Sequence, residues 1–318
     1  MQSVENRIKE KAAELLTTKK VDLLIGFERG TMPLRASPAF IYDEADIEKL
    51  AWNSFCEMNL ARYLTRITSK RVGIIAKGCD SRAIAALVVE GQVKREQIMI
   101  IGVPCPGMVD RRKIEKEIKG EIDKVEEKKG EIIVKGNNFE KVFKKNNYLY
   151  PCCKVCKHGN PSIYDILIGE KVKENSKVDE YAEITEYEKK SPDKRWEFFE
   201  KEVSKCIRCY ACRQACPMCY CEECFVDSFH PKWVDKSLDF SDIAIWHIMR
   251  VYHQTGRCVS CGACERACPM QINLRFLTEK INKDVKVYFN FEAGLDLSVN
   301  PPLAAFDIKD REDFIDTC

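Results

Sequence analysis

Short apolar runs alternate with charged stretches along this chain, and the alternation predicts an α/β core. Residues 3–17 have the spacing of a short charged helix. The segments 21–27 (VDLLIGF), 71–77 (RVGIIAK) and 98–103 (IMIIGV) are compact apolar runs bounded by turn residues, as buried strands are. Residues 29–38 (RGTMPLRASP) carry Gly30, Pro33 and Pro38 and read as a loop. From 43 to 67 the periodicity is helical, with Leu50, Trp52, Phe55, Leu60, Tyr63 and Leu64 available for an inner face. Gly78, Cys79 and Asp80 turn the second strand into a helix over 81–90. A strand, loop, helix, strand order implies a parallel sheet. Further on, 130–136 (GEIIVKG) and 165–170 (DILIGE) read as short strands. Residues 173–197 are rich in Lys and Glu, have few apolar anchors, and read as a charged linker.

Composition changes this picture through one residue type. Of 318 residues, 18 are cysteine, and 12 of these lie beyond Trp196, where strand patterns become scarce. The remaining charge is nearly balanced, 52 Lys plus Arg against 50 Asp plus Glu, which removes a global electrostatic case for nucleic-acid binding. The longest apolar runs are too short for a transmembrane segment, and the charged N-terminus lacks the apolar region of a signal peptide. A cytoplasmic location follows as the expectation. Structural disulfides are rare there, so metal binding is the leading explanation for the cysteines.

The run CIRCYACRQACP places Cys206, Cys209, Cys212 and Cys216 before a proline, and CVSCGACERACP repeats the spacing with Cys258, Cys261, Cys264 and Cys268. C-x2-C-x2-C-x3-C-P is the bacterial ferredoxin run, in which the fourth cysteine ligates the other cluster. The spacing assigns Cys206, Cys209, Cys212 and Cys268 to a cluster A, and Cys258, Cys261, Cys264 and Cys216 to a cluster B. Zinc held by CxxC pairs is the competing chemistry, but its structural sites rarely use this four-cysteine run twice. The long insertion between the runs contains a strong helical pattern over 240–258 (FSDIAIWHIMRVYHQTGRC), leading into the second run. With it, residues 198–282 resemble the α-helical ferredoxin module of heterodisulfide reductase small subunits and succinate dehydrogenase iron–sulfur subunits. His247 and His253 lie on that helix, where packing or surface roles are expected. Cys219, Cys221 and Cys224 add a candidate extra site with no evident fourth ligand.

Four more cysteines are dispersed: Cys79 and Cys105 follow strands, and Cys153 and Cys156 form a CxxC before DILIGE. Loops at the carboxyl ends of parallel strands converge, so these four are the candidate ligands of a third cubane, cluster C, with Cys152 competing for the place of Cys153. The segments IIAKGCDSRAIAAL, IIGVPCPG and CCKVCKHGNPSIYDILIGE resemble, in that order, the β-subunit family of coenzyme F-420-reducing hydrogenases and formate dehydrogenases. The resemblance covers residues 70–172 and implies one 4Fe–4S cluster on Cys79, Cys105, Cys153 and Cys156. It also implies a flavin, although no G-x-G-x-x-G fingerprint is present. Arg29, Gly30, Thr31 and Arg35 are the candidate anion-binding loop for FAD, a cofactor the sequence does not favour. Cys56 reads as core, and Cys318 as incidental.

The resulting expectation is an α/β cluster-binding domain (1–172), the linker (173–197), a mostly α-helical 2x4Fe-4S ferredoxin domain (198–284) and a docking tail (285–318). The tail carries Phe289, Phe291, Leu295, Pro301, Pro302, Leu303 and Phe306, too many apolar groups for a free end. The expected function is single-electron relay through about three 4Fe–4S clusters in an anaerobic oxidoreductase complex. The expected role is non-catalytic, since no catalytic constellation is visible. Implied partners are a hydrogenase, a formate dehydrogenase or a heterodisulfide-reductase-like flavoprotein. The alternative is a flavin-bearing subunit that reduces a deazaflavin, quinone-like or nicotinamide acceptor.

Overall fold

The structure, a computed structural model, describes residues 3–67, 69–128, 130–174 and 177–305. The chain divides into two compact units, Met1–Ser81 with Val93–Val178, and Arg82–Gln92 with Asp179–Cys318.

The first unit opens with helix α1 (Val4–Thr17), whose first turn is capped by the Ser3 hydroxyl accepting from Asn6 N at 3.2 Å. Strands β1 (Leu23–Arg29), β2 (Ala36–Ile41) and β3 (Val72–Ala76) follow, then the start of helix α2 (Gly78–Val89), which from Arg82 onward belongs to the second unit, and strand β4 (Ile98–Gly102). Helix α3 (Arg111–Glu117), strands β5 (Lys124–Lys128), β6 (Glu131–Gly136) and β7 (Phe139–Lys144), helix α4 (Pro151–Lys154) and strand β8 (Ile166–Leu167) complete the unit. The main sheet has the order β2-β1-β3-β4-β8. Its β1–β3, β3–β4 and β4–β8 pairings are parallel, and β2 is an antiparallel edge. Every residue of β3 is buried, as is the first part of β1, which is why both read as continuous apolar runs. Ile8, Ala12 and Leu15 of α1 share one helical stripe and pack in a core with Leu24, Ile75 and Ile101. A second sheet, β5-β6-β7, is antiparallel, and its Ile132, Val134 and Phe143 pack with Ile114 and Leu149.

The second unit contains α5 (Ala182–Glu188), α6 (Pro192–Val203), α7 (Ala211–Ala215), α8 (Phe240–His253), α9 (Ala263–Ala267) and α10 (Leu274–Phe289). Among its described residues there is no strand. Helices α7 and α9 pack on each other, and α10 packs on α8 and α9.

Four expectations are corrected. The helix expected over 43–67 is instead two 3-10 stretches, Glu44–Lys49 and Leu60–Arg66. Side-chain oxygens interrupt it: Asp43 accepts from Ala45 N, Asn53 from Phe55 N and Asn59 from Ala61 N, at 2.9–3.1 Å. Such local bonds compete with helical ones. The loop expected over 29–38 is shorter, 30–35, and closes a hairpin: Arg29 belongs to β1 and pairs with Ala36 of β2. The strand expected over 165–170 is only Ile166–Leu167. The charged linker contains α5 and the start of α6: Ile184 is a buried anchor, Ser191 caps Lys194 N at 3.4 Å, and α6 continues beyond the linker to the buried Phe199. In the tail, α10 runs on to Phe289, Ala293 and Pro301 are buried, and Leu295 and Leu303 stay exposed. Phe306 and Cys318 lie outside the described residues.

Candidate metal centre

The two cysteine runs fold alike. In the first, Arg208 and Tyr210 have φ of 51° and 57°; in the second, Ser260 and Gly262 have 55° and 69°. Each run therefore places one left-handed residue just before its second cysteine and one just after. Alternation of right- and left-handed backbone turns successive N–H groups inward, the concave arrangement that holds anions and iron–sulfur groups. Only one of the four positions is glycine, so three side chains sit in a conformation that L-residues seldom adopt. The amide of Arg208 donates to Cys206 Sγ at 3.3 Å. A five-residue helix (α7, α9) then carries the third cysteine, and Cys216 and Cys268 end those helices in extended conformation.

Cys206, Cys209, Cys212 and Cys268 line one partly open pocket together with Trp246 and His247. The second run thus sends its fourth cysteine to the first. The reciprocal set is also close: Cys216 interacts with Cys264, and Cys258 with Cys261 and Cys264. Burial pushes the Cys212 and Cys258 thiols up to about 12, so neutral thiols would be the resting form there without a metal. Among the described residues no three cysteine Sγ atoms come within 4.8 Å of one another.

Helix α8 lies against this region and presents Trp246, His247, Arg250 and Gln254 on one buried face. The Trp246 Nε1, His247 Nε2 and Arg250 Nε atoms are buried without a hydrogen-bond partner. Uncompensated buried donors are costly, and sulfides or thiolates in the adjoining space are the acceptors that would relieve them. The residues therefore fit the group their spacing implies. Burial, with Arg250 and Arg208 adding to it, pushes His247 down to about 4 and leaves it neutral at pH 7. Arg250 and Gln254 escaped sequence reasoning, although an arginine and a glutamine on the inner stripe of an otherwise apolar helix were the available signal.

Cys219, Cys221 and Cys224 are not brought together. The Gln254 amide spans Cys219 and Cys216, accepting from Cys216 Sγ and donating to Cys219 Sγ at 3.3 Å each. Cys221 is exposed, and Cys224 interacts with Arg213. His253 is exposed, its ring edge-on to Phe225 with centroids 5.3 Å apart.

In the first unit, Ala76 pairs with Gly102, so β3 and β4 end level and Cys79 and Cys105 each follow by three residues. Lys77 interacts with both. Gly107 N donates to Cys105 Sγ, and Met108 N to Cys153 Sγ, both at 3.4 Å. Cys105 N is held by the Gly159 carbonyl at 2.8 Å, and its thiol interacts with Cys156. Cys79 in the first turn of α2 and Cys105 after β4 thus stand beyond the carboxyl ends of neighbouring strands, with Cys153 on α4 bonded to the segment after Cys105 and Cys156 interacting with Cys105. Cys152 is buried, with its Sγ 3.9 Å from that of Cys153. Cys56 is fully buried, in keeping with a core role.

The Arg29, Gly30, Thr31 and Arg35 loop is the tight end of the β1–β2 hairpin. Gly30 N is already used by the Arg35 carbonyl at 3.0 Å, and Arg29, Thr31 and Arg35 are not buried. Among the described residues no helix is long and apolar enough to cross a membrane.

Comparison with known proteins places this geometry. Residues 202–272 match the 4Fe-4S dicluster domain, and residues 69–181 match the family defined by the C terminus of the coenzyme F420 hydrogenase/dehydrogenase beta subunit. The chain is a mixed α/β iron–sulfur protein that carries 4Fe–4S clusters, with the dicluster domain in its C-terminal part. The chain is 24% identical to the F420-dependent formate dehydrogenase subunit beta of Methanocaldococcus jannaschii, over 91% of each chain. It is also 24% identical to the F420-dependent formate dehydrogenase 1 subunit beta of Methanococcus maripaludis, over 91% of this chain and 90% of that one. A chain of the F420-reducing NiFe hydrogenase complex from Methanosarcina barkeri aligns with a TM-score of 0.42 and 15% identity, over 63% of this chain and 86% of that chain.

Proposed function

We propose that this chain is an electron-transfer subunit of an anaerobic formate dehydrogenase or hydrogenase complex, working in the cytoplasm. The observation that carries this reading is the exchange of fourth cysteines: Cys268 lies in one pocket with Cys206, Cys209 and Cys212, as a dicluster ferredoxin requires. When bound, 4Fe–4S clusters supply reversible one-electron oxidation and reduction. Cys206, Cys209, Cys212 and Cys268 would hold one cluster, and Cys258, Cys261, Cys264 and Cys216 the second. Cys79, Cys105, Cys153 and Cys156 would hold a third, in an α/β domain over 1–172 that precedes the ferredoxin domain at 198–284. The chain's own contribution is to shield and tune. Trp246 and Cys212 pack in the core cluster of the second unit, which keeps water from sulfur. The amides of Arg208, Gly107 and Met108 donate to Cys206, Cys105 and Cys153, a lever that raises potential. The relatives' names supply the partner class, a catalytic subunit that exchanges electrons with this one.

Anaerobic purification with metal and sulfide analysis tests the reading. About 12 iron and about 12 acid-labile sulfide per chain are expected for three cubanes. Zinc in place of iron would overturn it. Flavin at one per chain would make the subunit an acceptor-reducing enzyme instead of a relay.

A further inference from the structure

Arg250 is 3% exposed, and no carboxylate lies within ion-pairing distance of it among the described residues. Its Nη2 donates to the Cys212 carbonyl at 3.4 Å, and its Nε has no partner. A guanidinium stays charged in proteins, and an isolated buried charge is among the most expensive groups a fold can hold. Something anionic must offset it. What surrounds it is thiols: Cys212 of the first ligand set, and Cys264 and Cys216 of the second, with Cys219 beyond. Those thiols interact in turn with each other, Cys212 with Cys264. Arg250 therefore stands where the two ligand sets meet.

We propose that Arg250 is the shared counter-cation of both clusters of the ferredoxin domain, setting their reduction potentials together. The inference rests on the cluster assignment above and goes beyond it. When bound, a 4Fe–4S cluster held by either ligand set would supply a one-electron couple, taking its electron from a donor subunit and passing it to an acceptor. The reduced form carries one more negative charge, so a fixed positive charge beside both stabilises both reduced forms and raises both potentials. Because one cation serves two anions, it also softens their mutual repulsion. The backbone of α8 fixes where the cation stands: Arg250 lies one turn before Gln254, whose amide is bound to Cys216 and Cys219.

The test uses the full chain, purified anaerobically, as wild type, Arg250→Gln and Arg250→Lys. Iron and sulfide are counted, and the two ferredoxin-domain signals are titrated by EPR against potential. Both signals moving to lower potential in Arg250→Gln, and returning toward wild type in Arg250→Lys, is the expected result. Loss of both clusters from Arg250→Gln with retention in Arg250→Lys also supports the charge. A fully loaded Arg250→Gln protein with unmoved potentials overturns the proposal. A shift in one signal alone overturns the sharing, and equal iron loss in both variants assigns Arg250 a packing role instead. Wild-type protein without cubanes in this domain would fail the functional reading itself, an outcome distinct from all of these.

Discussion

Lys77 Nζ stands 2.8 Å from Asp80 Oδ2, and neither side chain is more than 1% exposed. The pair sits where β3 turns into α2, immediately around Cys79. Asp80 also accepts from Lys77 N at 2.9 Å and from Leu60 N at 3.2 Å, and Lys77 donates to the Met58 carbonyl at 2.8 Å. Asn59 reaches the Cys79 carbonyl at 3.2 Å. The irregular segment after the first 3-10 stretch is thus tied to the turn that presents Cys79, and the buried charges are its clasp. Removing one partner of such a pair leaves the other uncompensated, at about 3–5 kcal/mol. Asp80→Ala is expected to lose stability on that scale in anaerobic denaturant unfolding, and Asp80→Ala combined with Lys77→Met to recover much of it. Additive losses in the double variant would show that the two charges are not coupled.

Gly78 makes the closest approach in the first unit's site. A Cβ there would lie 2.0 Å from the His158 carbonyl oxygen and 3.0 Å from that of Asn160, both backbone atoms that cannot swing away. Gly78→Ala should push the Cys79 turn off the loop after Cys156. The expected outcome is loss of about four irons per chain while both ferredoxin-domain signals persist. Full iron content in Gly78→Ala would remove Cys79 from the third ligand set.

The ligand exchange between the runs has its own signature. Cys206→Ala and Cys268→Ala should abolish the same EPR signal, and Cys258→Ala and Cys216→Ala the other. If instead Cys268→Ala silences the signal that Cys258→Ala silences, each run binds its own cluster.

Stability of the α/β unit rests on the layer between α1 and the sheet. Ile75 is fully buried there with Leu24, Ile101 and Ile8. Truncation leaves a cavity that neighbouring strands cannot fill, so Ile75→Ala should cost about 2–5 kcal/mol. Urea unfolding followed by far-UV circular dichroism measures this, and a loss below about 1 kcal/mol would mean the layer relaxes to fill the space.

The sequence by itself determined what depends on neighbours along the chain. Strands β1, β3 and β4 were legible because a parallel strand buried on both faces needs an unbroken apolar run. The ferredoxin runs were legible because a cluster's ligands are set at fixed two- and three-residue gaps. Tertiary structure decided the rest. The 43–67 segment has helical periodicity, yet Asp43, Asn53 and Asn59 cap its turns too early, and Glu5 of α1 takes Trp52 N at 2.9 Å. Residues 173–197 look solvated, yet Ile184 is buried, and α6 carries the segment's end into the core through Phe199 just beyond it. Cys219, Cys221 and Cys224 are close in sequence but meet different surroundings: Cys219 is bonded by Gln254, Cys221 is exposed and Cys224 interacts with Arg213. Arg250 reads as one more charge on a helix. Only the packing of α8 against the cysteine-bearing segments reveals a cation with no carboxylate partner, since burial and partnership are properties of the assembled fold.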